Sequence, residues 1–75
     1  MKLEDMNYIY GSCYTNLDDF KMYEWPKVFV SVPRIGDRVA SNCGRRMLYV
    51  VAIEHTTVTQ EGKNYPYIRV ELNRR

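Results

Sequence analysis

Residues 46–56, RMLYVVAIEHT, constrain the fold more than any other stretch of this chain. The run is rich in β-branched and aromatic residues, which suit an extended strand rather than a helix. Strict alternation places Met47, Tyr49, Val51 and Ile53 on one face and Leu48, Val50 and Ala52 on the other, before the chain turns polar at Glu54. A strand that is apolar on both sides needs cover on both sides, as in a small barrel or a sheet packed under a further segment.

The flanking sequence extends the β pattern. Residues 65–72, YPYIRVEL, alternate Ile68, Val70 and Leu72 against Tyr67, Arg69 and Glu71, the signature of a half-buried antiparallel strand. Between the two strands lies TQEGKN (59–64), where Gly62 supplies the positive φ of a hairpin turn. Pro66 lacks an N–H donor, which predicts that its strand starts at a sheet edge or at a bulge. Upstream, DRVAS (37–41) and the 46–56 strand are joined by NCGR, a second turn. Pro33 and Gly36 in VPRIGD (32–37) exclude a helix there, and KVFVSV (27–32) reads as extended.

The first 26 residues are less periodic. MNYIYGSCY (6–14) reads as a strand with Gly11 at a bulge. NLDDFKMYE (16–24) fits either a short helix capped by Asn16 or a loop running to Trp25-Pro26. The expectation is a single domain over residues 1–75: mostly β, four to five strands in a small antiparallel barrel, with one short helix near 16–24 as the open alternative. A chain of 75 residues has room for one core and little room for a deep cleft.

The run VPRIGDRV, a turn, YVVAIEH, a polar loop and YIRVEL follow the outline P-x-x-G-D-x-V, then Y-x-V-x-x-I/V-x-H, then a short last strand. In this it resembles a group of small bacterial and phage-borne proteins with an SH3-like β-barrel. The resemblance spans residues 32–72 and implies the SH3-like form of the barrel. The group has no agreed activity to carry over. A phage-type regulator that plugs a host enzyme, an anti-defence role, is the functional suggestion that follows by analogy with such small independent chains.

Charge and chemistry narrow the function. Lys2 and Lys21 stand against Glu4, Asp5, Asp18, Asp19 and Glu24, so residues 1–26 carry −3, while residues 27–75 carry +5 and the chain +2. This distribution fits either internal compensation or a two-signed surface that orients a partner. The start, MKLEDMNYIYG, is acidic and without a hydrophobic stretch, which points to a cytoplasmic protein whose Cys13 and Cys43 are thiols. Two Cys and one His, without CxxC or HxxxH spacing, do not make a metal site, and no cofactor motif is present. His55 is the sole imidazole of the chain and so its one general-base candidate of that type, and its spacing from either Cys suggests no nucleophile–base pair. Glu54 and Glu71 could face each other, or pair with Arg69 and Arg46. These features predict a non-enzyme.

Seven tyrosines and one tryptophan are more than so small a domain can bury. The expected contact surface is therefore Trp25, Arg34, Tyr65, Tyr67 and Arg69, acting on another protein as an adaptor or inhibitor. Self-association into a homodimer would hide surplus aromatics and support a small core. The alternative is single-stranded nucleic acid, with Arg34, Arg38, Arg45 and Arg46 tracking phosphates beside aromatic stacking platforms.

Overall fold

Five strands form one curled sheet that bends into a half-barrel. The computed structural model describes residues 8–75. The strands are β1 (Ile9–Tyr14), β2 (Val28–Phe29), β3 (Arg38–Ala40), β4 (Met47–Gln60) and β5 (Lys63–Asn73), with a 3-10 turn at Asp18–Phe20. Their order across the sheet is β2-β1-β5-β4-β3. The mostly β, five-stranded architecture expected from the alternation is present. One pair departs from an all-antiparallel barrel: β1 lies parallel to β5, Gly11 beside Ile68 through Tyr14 beside Glu71.

The core is small. Leu48 and Val50 from β4, Ile68, Val70 and Leu72 from β5, Val39 from β3 and Trp25 are buried together. Ile9, Cys13, Leu17, Phe20, Phe29 and Ile53 pack at the margin of this cluster. The alternation of β5 is retained as read, but that of β4 is not. The register slips between Val50 and Ala52, so that Ile53, opposite Val70, joins the Leu48–Val50 face. The extra residue, Val51, is exposed. A bulge absorbs one residue and returns the strand to its partner one position out of phase.

Residues 24–27 close the gap left by the two short edge strands. The Lys27 carbonyl accepts from Gly11 N–H at 3.0 Å, and the Glu24 carbonyl accepts from Asn42 N–H at 2.7 Å. This segment thus ties β1 to the β3–β4 turn, and Trp25 plugs the interior between them. Its indole N–H donates to the Phe20 carbonyl at 3.2 Å, which satisfies the one polar group the ring carries. Gly11 sits on the core face rather than at a bulge. A Cβ there would lie 2.5 Å from Ile68 Cγ1 and 2.6 Å from the Ile68 carbonyl oxygen.

Other expectations shift by a few residues. The extended segment at 27–32 is a strand only at Val28–Phe29. The described part of the 6–14 strand begins at Ile9, and Met6 and Asn7 lie outside the described residues. The 16–24 segment forms a single 3-10 turn with Leu17 as its cap residue, and Leu17 N–H donates to Thr15 Oγ1 at 3.2 Å. The P-x-x-G-D motif serves the fold. Asp37 Oδ2 accepts from Arg34 N–H at 2.8 Å, and Gly36, at φ +94°, donates its N–H to the Val50 carbonyl at 2.8 Å. The loop is thereby bonded to β4.

Candidate functional site

Strands β4 and β5 outrun the core. The buried cluster ends at Ile68, opposite His55, yet pairing continues through Thr56–Tyr67, Thr57–Pro66, Val58–Tyr65 and Thr59–Asn64 to Gln60–Lys63. At about 3.4 Å per residue this arm projects about 17 Å beyond the last buried side chain, in a molecule measuring 37 × 25 × 21 Å. The turn at its tip has two residues, Glu61 (φ +52°) and Gly62 (φ +78°). Successive positive φ values define the type I′ turn, whose twist matches that of the strands it joins.

Register decides what each face of the arm carries. Directly paired residues of antiparallel strands point to the same side. Thr56 with Tyr67, Val58 with Tyr65, and Gln60 with Lys63 therefore share the outer face of the sheet, which continues into Glu54 with Arg69. On β1, Gly11 and Cys13 face the core, so Tyr10 and Tyr14 point outward. Tyr10, Val58, Tyr65, Tyr67, Gln60 and Pro66 line a groove of about 530 Å³. Its tyrosines are partly in solvent, Tyr10 at 37% and Tyr65 at 42% exposure. Lower on the same face, Arg69 Nη1 lies 3.4 Å from Glu54 Oε1, and Tyr14 Oη donates to Glu71 Oε1 at 3.4 Å. Glu54 and Glu71 thus take separate partners instead of forming a carboxylate pair, and Arg46 serves neither.

The expected contact surface is brought together only in part. Tyr65, Tyr67 and Arg69 follow one another on the outer side of β5. Trp25 does not join them; at 7% exposure it belongs to the core. Arg34 is exposed in the loop bonded to Val50, eight positions along β4 from Val58, a separation of about 25 Å. Tyr10 is the member that sequence reading missed. Its signal was the tyrosine alternation of residues 8–14, but the parallel partner that sets it beside Tyr67 lies far away in the chain.

The arginines of the alternative reading gather at the opposite end. Arg38 lies beside Tyr49 on the β3 edge, and Arg45 and Arg46 occupy the β3–β4 turn. The Arg46 guanidinium sits 5.6 Å from the Tyr23 ring centre and its Nε donates to Tyr23 Oη at 3.1 Å, which favours the charged guanidinium further. Arg75 lies over Tyr49 at 5.6 Å and Arg74 over Phe20 at 5.3 Å, with Asp19 3.8 Å from Arg74. The C-terminal arginines are thus seated on aromatic rings. Of these contacts, the Asp19–Arg74 pair joins the acidic segment to the basic one.

Neither cysteine is in a position to use His55. Burial pushes the Cys13 thiol up to about 11, and its Sγ donates to the Pro26 carbonyl at 3.3 Å. It lines a second hollow of about 510 Å³ with Tyr14, Lys21, Tyr23, Trp25 and Lys27. Strand β5 intervenes between Cys13 and His55, which is exposed opposite Ile68. Cys43 is an exposed free thiol in the β3–β4 turn, held below the usual value by hydrogen bonding to Ser41 and to the Arg45 backbone. Among the described residues no three His, Cys, Asp or Glu side chains come together as a ligand set, and no helix is long and apolar enough to cross a membrane. No family model, curated protein or solved structure matches the chain, so its own geometry carries the functional reading.

Proposed function

We propose that the protein is a protein-binding module whose contact surface is the outer face of the β4–β5 arm, with Tyr10, Tyr65 and Tyr67 as anchors and Val58 and Arg69 beside them. The single observation that carries this reading is the groove of about 530 Å³ between half-exposed tyrosine rings, on an arm that stands clear of the core. Two paired strands with nothing packed against them are marginal in water. Tyrosine suits such a place because its ring buries well against a partner while its hydroxyl remains hydrogen-bonded. The same surface serves an adaptor or an inhibitor of a host enzyme.

Nucleic-acid binding is less well supported. Single-strand recognition combines bare rings with neighbouring cations. Here the rings nearest the arginine-rich end, Tyr23, Phe20 and Tyr49, are already occupied by Arg46, Arg74 and Arg75.

The test replaces Tyr65 and Tyr67 with serine. The double variant keeps the thermal unfolding midpoint of the parent within a few degrees, because both side chains lie outside the buried cluster. It loses the partners that the parent captures from its own cell extract. Equal capture by parent and variant would refute the proposal, as would capture by the parent that Arg45→Ala/Arg46→Ala alone abolishes.

A further inference from the structure

We infer that the free edge of β4 from Ala52 to Gln60 is a strand-addition site for a second copy of this chain, paired antiparallel about a two-fold axis at Thr56. Strand β3 covers β4 only at Met47–Tyr49, and the 34–37 loop bonds only to Val50. Among the described residues no strand pairs with 51–60 on the side away from β5. Among the described residues, the edges formed by β2, β3 and the arm side of β5 are blunted. Strand β2 has two residues, β3 has three and carries Arg38, and the arm side of β5 has Lys63 and Pro66. Short length, charge and proline are the usual devices against edge pairing. VAIEHTTVTQ is guarded far less: it has six β-branched residues in ten, neither Gly nor Pro, Glu54 as its one formal charge, and a bulge only at its first residue, Val51.

With one formal charge in ten residues, this edge does not repel its own copy. With Thr56 opposite its own copy, Ala52 meets Gln60, Ile53 meets Thr59, Glu54 meets Val58 and His55 meets Thr57. No like charges are opposed, and side chains that share a face in one copy meet residues of that same face in the other. The edge is thus free of like-charge repulsion against its own copy and matches it in length, as an isologous contact requires. A two-fold perpendicular to the sheet yields a continuous sheet eight strands across, β2-β1-β5-β4 from each copy, with each β3 beside the far end of its own β4. It also presents both tyrosine grooves on one side. The inference does not depend on what those grooves bind.

Sedimentation equilibrium of the whole chain tests it. The parent dimerises. Thr56→Lys and Thr56→Glu each place like charges on the axis and weaken the dimer by about tenfold or more. A 1:1 mixture of the two variants restores it as a heterodimer, which misfolding cannot imitate. Tyr65→Ser/Tyr67→Ser leaves the dimer unchanged. A parent that stays monomeric up to millimolar concentration would overturn the inference, as would a dimer indifferent to Thr56→Lys, either outcome leaving the tyrosine-face reading standing.

Discussion

Two residues of the N-terminal third show how much one side chain decides. Gly11 is required by the closeness of β5: an added methyl would meet both Ile68 Cγ1 and the Ile68 carbonyl oxygen, and backbone cannot swing aside. Gly11→Ala is expected to cost about 2 kcal/mol, measured as a lower urea midpoint at unchanged slope. In contrast, no Cβ clash arises at the turn glycines, where positive φ is the reason for the residue. Sequence alone showed that Gly11 interrupts an apolar strand but not why, because Ile68 lies 57 residues away. Trp25 was illegible for a similar reason. It stands in an irregular segment with no period, and only the closure of 24–27 across the sheet gives its ring an inside. Tyr65 and Tyr67 were legible as surface residues because they belong to a strand whose other face is plainly apolar.

At the scale of elements, alternation was legible wherever both partners are local. The β3–β4 and β4–β5 pairs join neighbours in the chain, and their turns carry Gly44 and Gly62, both at positive φ. The bulge at Val51 was not legible. A continuous apolar run contains no mark of where one residue is skipped, so the alternation put Ala52 on the face of Leu48 and Val50, a place that Ile53 takes. The parallel β1–β5 pair was hidden as well, since it joins the two ends of the chain. The arm's turn holds a correctable flaw. Glu61 adopts φ +52°, where a residue with a long side chain is disfavoured and asparagine is tolerated. Glu61→Asn should stabilise the arm by about 0.5 kcal/mol, seen as a rise in Tm of about 3 °C if the arm melts with the body.

The whole molecule divides into a body with a core and an arm without one. Among the described residues seven buried apolar side chains, none beyond Ile68 toward the arm, hold the body, and its edges are closed by the 24–27 segment and the 34–37 loop. The arm has hydrogen bonds and cross-strand pairs but no interior, and it carries both the tyrosine groove and the unguarded edge. Charge is arranged at the far end, where Arg46, Arg74 and Arg75 lie on rings and Asp19 answers Arg74. Binding surfaces are drawn from regions of low local stability, and here the division follows from where the apolar residues of β5 stop. The most direct check is residue-resolved amide exchange on the dilute, monomeric chain. The account predicts slow exchange at Leu48, Val50, Ile68 and Val70, and exchange faster by about a hundredfold or more at the arm amides from Thr56 to Gln60 and Lys63 to Tyr65. Equal protection of arm and body in the monomer would contradict it, because the arm would then be packed against something and its face and edge would not be available to a partner.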